Sequence, residues 1–196
     1  MKKTCLVLFF TFTVSSLLAQ NVATINTIPI KSEEFLWVYQ KNHIGQAKFD
    51  YSDLAAYLDL YVNFKLKVAE AKALGLDTVT SYKEEIAGYE TVLKTQKKVL
   101  SNAKEYAYIM NEYREGVLMF NVCEQKIWNK AQSDHEQLKT YFANNANKYE
   151  GKNFEEVRGQ VVGDYQQQLE TDWINTLKSK YKIKINHAEL KKLAKQ

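Results

Sequence analysis

Residues that interrupt helices are scarce in this chain. Among its 196 residues there is one proline, Pro29, and there are seven glycines. Proline cannot donate a backbone hydrogen bond, and glycine makes a helix costlier to order, so long segments without either residue can be helical. After residue 31 we therefore expect a mainly α-helical protein.

Histidine and cysteine are scarce too, and this limits the chemistry that the chain can perform. The three histidines, His43, His135 and His187, fall in different predicted elements, and the two cysteines are Cys5 and Cys123. Together they provide no metal-binding spacing. The sequence also has no glycine-rich phosphate loop and no nucleophile elbow. We therefore predict no catalytic residue, no metal site and no cofactor.

Neither sign of charge dominates the sequence. The chain has 27 lysines and arginines against 23 aspartates and glutamates, so its net charge is +4. Nearly all of the basic residues are lysines spread along predicted helices, which is typical of a solvated surface rather than of a polyanion-binding site. We therefore expect no nucleic-acid partner.

The first nineteen residues have the pattern of a secretory signal peptide. Lys2 and Lys3 give a charged start, residues 5–14 an apolar run, and residues 15–19 a small-residue end. The apolar run is too short to span a membrane, so we expect an exported protein with no membrane span after cleavage. Cys123 would then be the sole cysteine, and its place on the apolar side of a predicted helix favours a small buried side chain.

One stretch near the start departs from the helical pattern. Residues 22–25 and 28–30 predict two short strands around a turn at Asn26, with Pro29 on an edge strand because it cannot donate to a ladder. Residues 181–186 alternate apolar and polar side chains, as a third strand does. Because a short strand needs a partner, we predict that the two ends of the exported chain meet in a small sheet.

Helix-start signals divide the remaining chain. We predict helix starts at Ser32, at Ser52 or Asp53, at Thr80 or Ser81, at the capping box Ser133–Glu136 and at the weaker one Asn153–Glu156. A further helix is predicted over residues 112–131, and Gly116 inside it indicates close helix packing or a kink. We interpret residues 20–196 as a single helical domain in which 20–111 and 112–196 pack together.

The segment 57–77 is the most informative helix. Six apolar residues recur in it at three- and four-residue steps: Tyr57, Leu60, Phe64, Val68, Ala71 and Leu74. Such spacing predicts one apolar stripe that faces a partner surface. Gly75 is expected to end the helix, because glycine readily adopts the left-handed conformation of a helix C-terminus.

The same segment resembles a block of SurA-like periplasmic chaperones. The resemblance is carried by Phe64-Lys65-Leu66-Lys67, Ala71 and Gly75-Leu76-Asp77. Residues 112–149 and 154–173 resemble two further blocks of that family in the same order. Together the three blocks cover most of the chain that follows the predicted signal peptide.

The resemblance implies a chaperone core without its catalytic part. Members of the family often carry parvulin-type prolyl isomerase domains, but residues 78–111, between the first two blocks, number only 34. A folded domain needs roughly 50 residues or more, and this segment has helical periodicity throughout. We therefore expect the isomerase domains to be absent and the protein not to be an enzyme.

The function that the resemblance implies is that of a periplasmic holdase, which binds unfolded outer-membrane or other exported polypeptides. Its helices would form a cradle for extended, aromatic-rich segments. The alternative is a non-catalytic assembly or scaffold component of an envelope complex, which forms a homodimer or docks through a helix face. A continuous groove lined by aromatic side chains would distinguish a cradle from a plain helical bundle.

Candidate client-binding residues come from the aromatic side chains, of which the chain has 25. Tyrosine in particular offers apolar area with a polar tip. We name four candidates: Tyr57, Tyr61, Phe64 and Tyr89. Filling of the core stays open as the other role of these tyrosines, and it is the expected role of Trp128 and Trp173.

Overall fold

The computed structural model describes residues 21–45, 48–96 and 102–195. The predicted signal peptide, residues 1–19, lies outside them. Helices dominate the described chain, and one small antiparallel sheet accompanies them, as the sequence predicts. Within these ranges no helix combines the length and the apolar character needed to cross a membrane.

The sheet joins the start of the described chain to its end. Strands β1 (Asn21–Ile25), β2 (Ile28–Lys31) and β3 (Ile183–Ile185) lie in the order β2-β1-β3, and both pairings are antiparallel. Pro29 is on the edge strand β2, where its missing N–H costs no ladder bond. The predicted hairpin, its edge proline and the meeting of the two chain ends are therefore confirmed.

Asn26 fastens the hairpin turn to the chain that leads into β3. Its backbone φ of 54° lies in the left-handed region, which asparagine tolerates better than most residues. The Asn26 N–H donates to the carbonyl oxygen of Lys182 at 2.7 Å, and the Asn26 side-chain oxygen accepts from the Lys182 N–H at 2.9 Å. One turn residue thus holds the first and third strands in register.

The predicted helices are present in order, but the one predicted over residues 112–131 begins earlier, at Ala103, and a helix over His187–Leu193 was not predicted. Their bounds are α1 (Ser32–Asn42), α2 (Tyr51–Ala73), α3 (Thr80–Lys94), α4 (Ala103–Cys123), a π-helical turn (Glu124–Trp128), α5 (Asn129–Ser133), α6 (His135–Asn144), a 3₁₀ turn (Ala146–Tyr149), α7 (Phe154–Lys180) and α8 (His187–Leu193). The segment that we predicted to lack an isomerase domain is helical over 80–94 and 103–111.

Gly75 ends α2 as predicted. Its φ is +75°, its N–H donates to the Lys72 carbonyl at 2.9 Å, and the Leu76 N–H donates to the Ala71 carbonyl at 3.0 Å. This pair of bonds is the Schellman arrangement, which satisfies carbonyls left over at the helix end. Asn153 likewise caps α7 in the predicted capping box, with bonds in both directions to Glu156.

Ser32 is not the N-cap that we predicted. It is the first residue of α1, and Lys31 occupies the cap position without a side-chain bond. The buried Ser32 hydroxyl donates instead to the Glu189 carboxylate of α8 at 2.9 Å. The Ser32 hydroxyl therefore forms a tertiary hydrogen bond instead of the local capping bond that the sequence predicts.

Two other predicted helix starts are displaced toward an aspartate. The N-cap of α2 is Asp50, not Ser52 or Asp53, and its side chain accepts a hydrogen bond from the Ser52 N–H. The N-cap of α6 is Asp134, not Ser133, and its side chain accepts a hydrogen bond from the Gln137 N–H. Aspartate and serine are about equally good caps, so the local signal alone does not choose between neighbours.

Of the two alternatives predicted for Gly116, close helix packing is wrong, and α4 continues without interruption through this residue. A Cβ atom placed on Gly116 would meet no heavy atom within 4 Å. The irregular part of this helical stretch is instead the π-helical turn at Glu124–Trp128, one residue beyond α4. Gly116 therefore borders open space, and that space is the cleft described below.

Three clusters of buried side chains form the interior. The first joins the sheet, α1, the early part of α2, the end of α7 and α8. The second joins the later part of α2 with α3 and α4, and the third joins α6, Tyr149 and the start of α7. Because α2 contributes to two clusters, it is the central helix, and residues from both predicted halves of the chain share its core.

The apolar stripe predicted for α2 is wrong at two of its six positions. Leu60 is 65% exposed and Leu74 is 45% exposed. The buried face includes Leu54, Leu58 and Leu66 instead. Since α2 packs against α1, α4, α7 and α8, several of its faces are buried and no single straight stripe describes it.

Candidate binding cleft

A two-chambered cleft lies between the first four helices. Its wide chamber, of about 1130 Å³, is bounded by α1, α3 and α4, and its narrow chamber, of about 350 Å³, by α1, α2 and α4. Trp37, Glu112 and Gly116 line both chambers. The two spaces therefore adjoin each other, and together they are called the cleft.

Gly116 lies where the two chambers adjoin. It lies inside α4, where glycine costs about 1 kcal/mol relative to alanine, yet no neighbour approaches its missing side chain within 4 Å. Packing therefore does not require the glycine. Its effect is to leave room beside Trp37 and Glu112.

Aromatic rings form much of the cleft wall. Trp37 of α1 and Tyr108 of α4 lie with their ring centroids 5.3 Å apart, and Tyr89 of α3 stacks on Tyr113 of α4 at 3.5 Å. Phe120, on the edge of the wide chamber, is 52% exposed. Rings fixed by their neighbours present flat apolar faces at little further cost in side-chain entropy.

All four predicted client-binding residues lie on this cleft. Tyr57, Tyr61 and Phe64 line the narrow chamber, and Tyr89 lines the wide one. The Tyr61 hydroxyl donates to Glu34 Oε1 at 2.8 Å, and the Tyr57 hydroxyl accepts from Asn42 at 2.8 Å. These tyrosines also pack against Phe35 in the core. These tyrosines therefore line the cleft and also contribute to the hydrophobic core.

Other wall residues were not predicted. Trp37, Tyr108 and Tyr113 are half-buried and face the cleft. The sequence holds one signal for Trp37, because it lies off the face of α1 that carries the buried Phe35 and Val38. An aromatic residue outside the apolar face of an amphipathic helix marks a second contact surface.

The two remaining tryptophans have different environments. Trp173 packs against the first two core clusters, in line with the role expected of it. Trp128 is half-buried and lies edge-on to the exposed Phe120, with 4.8 Å between ring centroids.

An ion-pair group underlies the narrow chamber. Lys65 Nζ lies 2.6 Å from Glu34 Oε1 and 2.6 Å from Glu115 Oε2, and all three side chains are largely shielded from solvent. Glu34 Oε1 also accepts from Tyr61, whose pKa is raised above its usual value by burial and by the charge of Glu34. The phenol therefore stays protonated and remains a donor. One lysine between two glutamates leaves the group with a net charge of −1.

Ion pairs also join α1 to α4 beside the cleft. Lys41 pairs with Glu112 at 2.5 Å and lies 5.5 Å over the Trp37 ring, and Lys104 pairs with Glu33. Hydrogen bonds from Lys104 and Tyr108 lower the pKa of Glu33. Burial and then Glu33 raise the pKa of Tyr108 to about 12. These exposed pairs are weak individually, so they allow the two helices to adjust.

The described residues contain neither a metal-binding cluster nor an exposed cysteine. Within the described ranges no cluster of three or more histidine, cysteine or acidic side chains could hold a metal ion. Cys123 is buried as predicted, and burial raises the pKa of its thiol, which disfavours the nucleophilic thiolate. What the arrangement offers is a surface for binding.

Comparison of this chain with protein-family models, with curated proteins and with solved structures finds no match. The resemblance to SurA-like chaperones therefore rests on the three sequence blocks, and the function is argued below from the cleft.

Proposed function

We propose that the protein is a holdase-type chaperone of the periplasm, which binds unfolded outer-membrane or other exported polypeptides without isomerising their prolines. The observation that supports this proposal most directly is the cleft of two adjoining chambers, both with aromatic side chains in their walls. The predicted signal peptide and the resemblance to periplasmic chaperones support the location.

The wide chamber is larger and more open than a usual small-ligand pocket, whereas the narrow chamber of about 350 Å³ falls within the usual range. Pockets for small ligands usually measure about 300–1,000 Å³ and enclose most of the ligand. The wide chamber alone measures about 1130 Å³ and opens to solvent. An extended chain advances roughly 3.3–3.6 Å per residue, so a client in the wide chamber would place several side chains along its wall.

The wall chemistry favours reversible binding of varied sequences. Ring faces of Trp37, Tyr89 and Phe64 accept aliphatic and aromatic side chains alike, since apolar contact is not directional. The Tyr57 hydroxyl accepts from Asn42 and the Tyr61 hydroxyl donates to Glu34, so hydrogen bonds within the protein fix the positions of these two wall residues. A holdase needs no catalytic group beyond such a surface.

The proposal is tested by aggregation of a denatured outer-membrane porin, followed by light scattering after dilution from urea. The purified protein should suppress the scattering at a near-stoichiometric ratio. The double variant Leu60→Ser and Phe120→Ser should lose most of this effect, because both side chains are exposed on the cleft. The control Ile28→Ser and Ile44→Ser removes two exposed apolar side chains that do not line the cleft, and it should act like the parent.

Two outcomes would contradict the proposal. If the parent protein does not suppress aggregation but elutes as a stable complex with another envelope protein, the assembly-component alternative is correct. If it accelerates cis–trans isomerisation of a proline peptide, the interpretation of residues 78–111 is wrong.

A further inference from the structure

The charge of the cleft is opposite to that of the chain. The protein carries a net charge of +4. Among the described residues that line the two chambers, however, the only basic one is Lys41, whereas five are glutamates: Glu34, Glu85, Glu105, Glu112 and Glu115. We propose that the cleft selects polypeptide segments that carry lysine or arginine beside apolar side chains. This inference rests on the proposed holdase function and names the class of client.

Two glutamates of the wide chamber are available to a client. Within the described parts of the chain, Glu85 and Glu105 form no ion pair. Glu85 accepts a hydrogen bond from the Tyr113 hydroxyl at 3.2 Å, and Glu105 one from Asn102 at 3.4 Å. Each carboxylate lies beside an apolar wall without a cationic partner among the described residues, so it can attract a cationic side chain.

The narrow chamber adds negative charge at greater depth. Lys65 neutralises only one of its two partners, Glu34 and Glu115. Glu112 lies at the junction of the chambers beside Gly116. A long, flexible lysine or arginine side chain that enters there brings its charge toward uncompensated carboxylates while its methylene groups cover the apolar walls.

The protein contains its own example of such a contact. Lys41 Nζ lies 5.5 Å over the Trp37 ring and 2.5 Å from the Glu112 carboxylate. One cation is thus held by an aromatic face and a carboxylate together, the combination that a client side chain would use. Lys41 is half-exposed and its pair is weak, so a client cation can compete for the same partners.

Negatively charged segments are disfavoured by the same arrangement. An acidic side chain in the cleft would face like charges at Glu112 and Glu115 without a free lysine among the described lining residues. Such repulsion gives specificity against a class of polypeptide in addition to affinity for another. A second copy of this chain as occupant would appear as dimerisation instead.

Three matched peptides test the inference. They share the same aromatic and aliphatic residues and carry lysine, glutamine or glutamate at the remaining positions, and fluorescence anisotropy measures their binding to the purified protein at low salt. Each partly exposed ion pair is worth up to roughly fivefold in Kd, so the lysine peptide should bind about tenfold tighter than the glutamine peptide. The glutamate peptide should bind most weakly, and about 0.5 M salt should remove most of the difference.

A pair of triple variants assigns the preference to the cleft. Glu85→Gln, Glu105→Gln and Glu112→Gln together should reduce the lysine preference to about twofold. The control Glu84→Gln, Glu136→Gln and Glu155→Gln changes the net charge equally at exposed positions that do not line the cleft, and it should retain the preference.

Failure of the inference is distinguishable from failure of the holdase proposal. Equal binding of the lysine and glutamine peptides by a protein that still suppresses porin aggregation overturns the charge preference alone. Equal loss of preference in both triple variants means that the overall charge, not the cleft, selects the peptide. Absence of all peptide binding and of aggregation suppression overturns both proposals, as does a dimer whose interface occupies the cleft.

Discussion

Lys65 of α2 and Glu115 of α4 form an ion pair of 2.6 Å between two largely buried side chains. Glu34 of α1 holds the same lysine at 2.6 Å, so one cation joins three helices beneath the narrow chamber. A charge removed from water needs a partner, and here two acids share one base. The stability of the cleft walls therefore depends more on the lysine than on either glutamate.

Replacing the lysine should be the more damaging change. Lys65→Met leaves two shielded carboxylates without their cation and should lower the free energy of unfolding by about 3–5 kcal/mol. Glu115→Gln leaves a one-to-one pair of Lys65 and Glu34 and should cost about 1 kcal/mol. Urea denaturation followed by circular dichroism gives both values. Equal losses in the two variants would contradict the assignment of Lys65 as the shared partner.

Two substitutions of Gly116 should have different effects on stability and on peptide binding. Gly116→Ala should stabilise the protein by about 0.5–1 kcal/mol, because alanine favours the helix and the space around the residue is empty. Gly116→Leu should fold normally but weaken peptide binding by roughly tenfold, since its side chain would occupy the space where the two chambers adjoin.

Gly163 provides the control for this pair of variants. It lies in α7, where a Cβ atom would also meet nothing within 4 Å, but it does not line the cleft. Gly163→Leu should leave peptide binding unchanged. Normal binding by Gly116→Leu would show that clients do not pass this point.

Lys41→Met should increase the affinity for the lysine-bearing peptide. The change removes the cation that occupies Trp37 and Glu112, so a client cation meets less competition, and we expect a gain of about threefold to fivefold. Lys148→Met is the matched control, because Lys148 lies 5.7 Å over the Tyr141 ring, away from the cleft. Fluorescence anisotropy measures the peptide affinity of both variants. If Lys41→Met binds the lysine-bearing peptide more weakly than the parent does, Lys41 does not compete with the client cation.

Acid should weaken the contact between α2 and the end of α7. Burial alone would raise the pKa of Glu70, but hydrogen bonds from Lys180 at 2.5 Å and Tyr181 at 2.8 Å outweigh it and lower the pKa below its ordinary value of 4.5. Because the folded-state pKa is depressed, the stabilisation is present above about pH 4.5 and is lost as the pH falls through the folded-state value.

Glu70→Gln isolates this effect. The variant should be less stable than the parent by about 1–3 kcal/mol at pH 7, and the difference should shrink as the pH falls below 4. Urea denaturation at a series of pH values measures it. A difference that is constant from pH 7 to pH 3 would show that Glu70 contributes through packing rather than through its charge.

Cys123 should react with thiol reagents only when the protein unfolds. Its side chain is buried and its raised pKa keeps it protonated near neutral pH. Labelling at pH 8 should be slow in buffer and rapid in urea, with the transition at the same urea concentration as the loss of helix. Fast labelling of the native protein would mean that the end of α4 opens locally.

Much of the fold was predictable because its signals are local or periodic. The alternation at residues 181–186 and the need of a short strand for a partner predicted the sheet, and Gly75 predicted the end of α2. Ser32 failed as a cap because its hydroxyl bonds to Glu189, 157 positions away, which no local pattern contains. Leu60 failed as a core residue because the neighbours of α2 decide which of its faces are buried.

The cleft was predictable only in part. The aromatic side chains named as client-binding candidates, Tyr57, Tyr61, Phe64 and Tyr89, all lie on the cleft, and the first three belong to one helix. The opposing wall comes from Trp37 of α1 and from α4, and its position depends on how these helices cross α2. The acidic lining has the same origin, since its glutamates are scattered over three helices and converge only in the folded chain.

The pairing of β1 with β3 also constrains the order in which parts of the molecule can fold. Ile25 meets Ile183, so the first core cluster, which also includes Leu190 of α8, cannot close until the far end of the described chain is present. Contacts so distant in sequence form late and slowly. A chain that enters a compartment from its N-terminus would therefore remain incompletely folded, with the β3-facing edge of β1 unpaired, until the segment that contains β3 has entered.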